Sequence, residues 1–97
     1  MKKSFVYILY SSSLDKFYTG FTTLDPSERL NRHLANYYKK NKFTSVADDW
    51  NIFWSLECND ALQAQRIERY IKSMKSKNYI KNLAKYQEIG QKLLNRF

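Results

Sequence analysis

The sequence predicts an α+β fold: a three-stranded antiparallel sheet flanked by helices, in the order ββαβααα. Three observations predict it. Two short aromatic and β-branched runs, 5–11 and 16–22, are separated only by Ser12-Ser13-Leu14-Asp15, a good hairpin loop. A third run with partial period-two alternation, 50–57, follows one amphipathic stretch. From residue 60 onward the apolar residues recur at helical spacing. Sheet and helices then share one core.

Each element has a local cause. Phe5 to Tyr10 is a nearly continuous apolar run, and Phe17, Tyr18, Thr19, Phe21 and Thr22 favour a pleated strand. Asp25-Pro26-Ser27-Glu28 opens a helix: Asp25 caps, Pro26 takes the first helical position and Glu28 completes a capping box. Leu30, Leu34 and Tyr37 or Tyr38 make its apolar stripe, and the polar stretch 39–49 ends it. In the third strand Trp50, Ile52, Trp54 and Leu56 are expected on one face. Asn59-Asp60 caps a second helix with the stripe Ala64, Ile67, Ile71 and Met74. Ser76 caps a third, whose stripe is Tyr79 or Ile80, Leu83 and Tyr86 or Gln87. Gly90 is expected to interrupt it before a last piece carrying Leu93, Leu94 and Phe97.

The 97 residues suit one domain, 1–97, with one modest core. No repeat, low-complexity tract or Pro/Gly-rich linker divides them. The longest apolar run has six residues against the roughly 20 of a transmembrane helix. Lys2-Lys3 before that run imitates a secretory signal, but the run is too short and no cleavage site follows. Cys58 is the single cysteine and there is one histidine, so neither an internal disulfide nor a zinc site is expected. A cytoplasmic protein that does not enter a membrane is the resulting expectation.

Charge is more informative. Seventeen Lys and Arg against nine Asp and Glu give +8, and seven basic residues lie between Arg66 and Lys85 with one acid, Glu68. Such a face attracts phosphate, with Arg66, Arg69, Lys72, Lys75 and Lys77 the candidate nucleic-acid contacts. The alternative is an ordinary solvated helix surface.

Gly20 raises a separate question, because glycine weakens a strand. If residues 12–15 close the hairpin, Val6, Ile8 and Tyr10 face Phe21, Thr19 and Phe17 on an inward apolar face. On the other face Phe5 opposes Thr22, Leu9 opposes Tyr18 and Tyr7 opposes Gly20. Tyr7 and Tyr18 are then diagonal neighbours, roughly 7–8 Å apart at the backbone. The glycine would clear room for something to lie against the pair. An aromatic pair shielding a glycine gap is the plainer alternative.

Other groups could join them. Arg29 and His33, four apart, share a helix face off the Leu30/Leu34 stripe. Glu68 falls about 80° from the centre of its helix stripe, at the margin of the buried face, where Lys72 could simply pair with it. Two tyrosines, an arginine, a histidine and a glutamate in a basic chain suit phosphodiester hydrolysis. Mg²⁺ is commonly held by one or two carboxylates with waters and substrate phosphate, and arginine meets phosphate oxygens with a fork of donors. A tyrosine of ordinary pKa near 10 costs roughly 4 kcal/mol to ionise at pH 7, so one acting as base needs a nearby cation.

These residues carry a resemblance to the GIY-YIG endonuclease superfamily, and to its small single-domain bacterial members most. The motifs are Phe5-Val6-Tyr7, Tyr18-Thr19-Gly20, Arg29-Leu30-Asn31-Arg32-His33 and Ala64-x-x-x-Glu68-x-x-Ile71-Lys72, followed by Met74-Lys75-Ser76. The likeness covers roughly residues 3–84. Phe5 stands where the motif has glycine and Thr19 where it has isoleucine, and Asp25-Pro26-Ser27 lengthens the lead into the helix.

The resemblance implies the same three-stranded sheet with flanking helices. It also implies that Glu68 binds the metal, Mg²⁺ or Mn²⁺, and that Arg29 contacts the scissile phosphate. Tyr7 or Tyr18 would help activate water, with His33 an auxiliary group; Asn78 and Asn82 are both candidates for a late functional asparagine. The expected activity is metal-dependent cleavage of DNA, with branched or nicked DNA and a targeting protein as the options for selectivity. A nucleic-acid-binding module without turnover, and a protein-interaction domain meeting an acidic partner, are the alternatives.

Overall fold

The computed structural model describes residues 3–23 and 49–97. Strands β1 (Ser4–Ser11), β2 (Lys16–Thr22) and β3 (Trp50–Cys58) form an antiparallel sheet in the order β2-β1-β3. Three helices follow: α1 (Ala61–Met74), α2 (Lys77–Lys85) and α3 (Gln87–Arg96). The helix expected from Asp25, with Arg29 and His33, lies outside the described residues.

The hairpin has the expected register throughout, with Tyr7 opposite Gly20 and Leu9 opposite Tyr18. Asp15 closes its turn at φ 50°, a left-handed conformation that aspartate tolerates. As the central strand, β1 is buried on both faces, which its near-continuous apolar run reflects. On one face Val6 and Ile8 meet Ala64, Ile67 and Ile71 of α1 and Leu83 and Leu93 beyond it. On the other, Tyr7 and Leu9 pack with Trp50, Leu14, Tyr18 and Ile52.

Strand β3 corrects the expectation of a single apolar face. Ile8 pairs with Trp54 but Leu9 pairs with Ile52, so the register shifts and Phe53 is the extra residue. The bulge flips the side-chain alternation. Trp50 and Ile52 join the Tyr7 face, while Trp54 and Leu56 pack on the helix side with Phe53.

The caps of α1 and α2 are as the sequence predicts. The Asp60 carboxylate accepts from the Gln63 N–H at 2.8 Å, and Gln63 Oε1 accepts from the Asn59 N–H at 2.7 Å. Gln63 Nε2 also donates to the Leu94 carbonyl at 3.0 Å, tying the start of α1 to α3. Ser76 Oγ accepts from the Tyr79 N–H at 3.2 Å. Between them Lys75 ends α1 in the left-handed region at φ 48°. The end of the stripe is looser than predicted, since Met74 is 41% exposed.

Gly90 does not interrupt a helix. The break falls at Tyr86, and α3 runs straight through Gly90. A Cβ there would stand 3.4 Å from Leu56 Cδ1 and 3.7 Å from Trp54, so the glycine marks close approach of α3 to β3. Among the described residues, no helix is long and apolar enough to cross a membrane.

Candidate functional site

The hairpin brings Tyr7 and Tyr18 together. Their ring centroids are 6.4 Å apart at an interplanar angle of 38°. Tyr7 comes from the central strand and is 1% exposed, whereas Tyr18, from the edge strand, is half-buried. Their burial separates the two: a reactant in solution meets Tyr18 more readily.

Gly20 has a more local purpose than the sequence suggested. A Cβ at position 20 would lie 2.6 Å from the Tyr7 hydroxyl and 2.8 Å from Cζ of that ring. The space that glycine leaves is filled by Tyr7 itself, laid across the neighbouring strand's backbone. Gly20 therefore fixes where the Tyr7 hydroxyl ends up.

Glu68 projects from α1, whose buried line Ala64, Ile67 and Ile71 sits on the sheet face opposite the tyrosines. Its side chain is 12% exposed, and its Oε1 meets Lys72 Nζ at 3.2 Å, one helical turn on. The predicted position at the edge of the buried face is correct, and so is the pairing with Lys72. A carboxylate so far withdrawn from water, paired among the described residues with the Lys72 ammonium, retains lone pairs that a hard divalent cation takes. Among the described residues no three His, Cys, Asp or Glu gather as a ligand cluster. A single withdrawn carboxylate fits an ion completed by water and phosphate oxygens.

The candidate phosphate contacts Arg66, Arg69, Lys72, Lys75 and Lys77 are all exposed. Two are engaged within the chain: Lys72 with Glu68, and Lys77, whose Nζ meets the Asp15 carbonyl at 3.0 Å and its Oδ2 at 3.4 Å. Asp15 also accepts the Tyr10 hydroxyl at 2.8 Å. Those bonds, Tyr10 first and then Lys77, hold the Asp15 carboxyl below its ordinary pKa, and the Asp15 carboxylate holds the Tyr10 phenol above its own. Arg29 and His33 lie outside the described residues. Cys58 is buried, and burial pushes its thiol up to about 11, so it is no nucleophile at neutral pH.

One feature escaped the sequence reading. A groove of about 320 Å³ lies between β2 and the α1–α2 junction, lined by Lys16, Phe17, Ile71, Lys72, Lys75 and Lys77 among others. Lys16 and Phe17 join residues some sixty positions away, and only their inclusion in the first strand pair could have hinted at it.

Comparison with known proteins identifies a family. The profile of the GIY-YIG catalytic domain matches residues 3–84. No curated protein and no solved structure gives a significant match. The matched span runs from the start of the sheet into α2 and takes in Tyr7, Tyr18, Gly20 and Glu68, so the chain belongs to the GIY-YIG catalytic-domain family, whose members act as nucleases.

Proposed function

We propose that this protein is a divalent-metal-dependent endonuclease that hydrolyses phosphodiester bonds in DNA, working as a single domain, 1–97, in the cytoplasm. The observation that supports it most is Glu68: the one acid of a basic run, nearly withdrawn from water, inside the matched catalytic domain.

In this reading Glu68 holds Mg²⁺ or Mn²⁺. The ion, when bound, stabilises charge on the attacking or leaving oxygen. Arg29 contributes fork-shaped donors to the scissile phosphate as charge develops on it. Tyr18, the more accessible ring, would take a proton from the attacking water as a phenolate, its own proton having gone to solvent under the pull of a neighbouring cation, with Tyr7 positioning it and His33 available as a second acceptor. Arg66, Arg69, Lys75 and the amines of Lys72 and Lys77 hold the substrate backbone.

Incubating the protein with labelled duplex, nicked, branched and single-stranded DNA and Mg²⁺ or Mn²⁺ tests this directly. Cleavage that disappears with chelator and in Glu68→Gln is the expected result. Retention of DNA without cleavage by any substrate would replace the nuclease with a binding module.

A further inference from the structure

The groove beside β2 has a chemistry of its own. Among the described residues its lining carries four ammonium groups, Lys16, Lys72, Lys75 and Lys77, and the apolar side chains Phe17, Ile71 and Ile80. Lys72 and Lys77 are held by Glu68 and Asp15. Among the described residues, no carboxylate pairs with Lys16 or Lys75. Phe17 packs against Tyr10, at 4.8 Å, and Phe53, at 5.0 Å, yet remains only half-buried. A half-buried ring lining a groove among lysines suits a flat apolar group attached to an anion.

We propose that this groove seats an unpaired nucleotide of a single-stranded DNA tail, with the base against Phe17 and Ile80 and its phosphates on Lys16 and Lys75. The idea rests on the nuclease reading and names the kind of DNA the enzyme grips. Its volume lies at the small end of the ~300–1,000 Å³ typical of small-molecule sites, which suits a nucleotide. Duplex DNA can offer the lysines its phosphates, but its stacked bases have no face free for Phe17. An unpaired base does, and stacking on an aromatic ring is indifferent to sequence. The lining agrees, because among the described residues its polar uncharged members are Thr19 and Ser76, and Ser76 is occupied as the α2 cap.

The location connects this seat to the candidate catalytic groups. Lys72 lines the groove and pairs with Glu68. Phe17 and Thr19 flank Tyr18 in the edge strand β2, their side chains on the opposite face from its ring. A tail leaving the groove around that edge reaches the face that carries Tyr18. The enzyme would thus grip the unpaired strand and cut near where it begins.

Fluorescence anisotropy without divalent metal tests the proposal, using a blunt duplex, the same duplex with a thymidine tail, and the same with an abasic tail of equal length. The base-bearing tail should bind about tenfold more tightly than the abasic one. Phe17→Leu should erase most of that difference and leave the abasic affinity in place. Lys16→Gln, at an exposed position, should weaken both tailed probes and flatten the salt dependence by about 0.7 in log–log slope. Equal affinity for base-bearing and abasic tails would overturn the base seat. An unchanged tail affinity in Lys16→Gln would overturn it too, even if Phe17→Leu failed to fold. No turnover is read, so a protein that shows this preference but never cleaves would sink the nuclease reading and keep the groove.

Discussion

An alanine at position 20 would press its methyl into the Tyr7 hydroxyl and ring, both closer than 3 Å, while Tyr7 is 1% exposed and has nowhere to retreat. Gly20→Ala should therefore cost about 1–3 kcal/mol, read as a lower urea midpoint. Gly90 predicts the opposite sign. Its nearest neighbour to a new Cβ is an ordinary 3.4 Å away, and it sits inside a helix. Gly90→Ala should raise stability by about 0.5–1 kcal/mol in the same assay. The tyrosine hydroxyls give the functional counterpart: Tyr7→Phe and Tyr18→Phe keep both rings, and at least one should lower turnover by roughly 10²-fold. Full activity in both would make the pair structural. Pairing of Tyr7 with Gly20 was legible in the sequence because hairpin register follows from the loop. Which group fills the space was not, because register places Cα atoms and leaves the side-chain rotamer open.

Asp49, just before β3, is the pin between that strand and the hairpin turn. Its carboxylate accepts the Ser11 hydroxyl at 2.6 Å, the Ser13 N–H at 2.8 Å and the hydroxyls of Ser12 and Ser13 at 3.1 Å each. Those bonds, Ser11 first, pull its pKa from the ordinary 3.8 down to about 2. A carboxyl held below its unfolded value adds stability above that value and loses it as pH falls toward the folded one. Asp49→Asn should melt below the parent protein at pH 7, and the gap should close between about pH 4 and pH 2. Melting curves across that window decide it; a gap that persists at pH 2 would mean packing rather than charge. For α1, Glu68→Gln removes one ion pair of a half-exposed lysine and should cost only about 0.3–0.5 kcal/mol. Cleavage should collapse nonetheless, and metal-free DNA binding should hold or tighten. Near-parental cleavage by the folded variant at limiting Mg²⁺ would remove the metal role. The caps at Asp60 and Ser76 were readable because they are local. Asp49 was hidden in a polar stretch, since its partners lie in a turn far along the chain. The bulge at Phe53 was unreadable too: alternation looks the same until the partner strand is known.

At the scale of the whole molecule, a net charge of +8 with its basic run on α1 and α2 predicts binding governed by counterion release. Two of the run's seven cations, Lys72 and Lys77, already have carboxylate partners, so the log–log salt slope for duplex DNA should fall between about −3 and −6. A flat titration would remove the basic face from the mechanism. The mix of strands and helices was legible from periodicity and caps. The sheet order was not, because nothing local says that β3 lies beside β1 rather than β2. That order has a consequence in time. β1 is the middle strand, with Ser11 paired to Trp50 and Ser4 to Cys58, so one of its edges waits for residues made much later. At about 5–20 residues per second of synthesis, the hairpin precedes its third strand by roughly 2–7 s. Through that interval a newborn chain carries the most apolar strand of the protein with a bare ladder of N–H and C=O groups, a template for any other strand nearby. Crowded expression should therefore clump nascent chains before it exhausts the stability of finished ones.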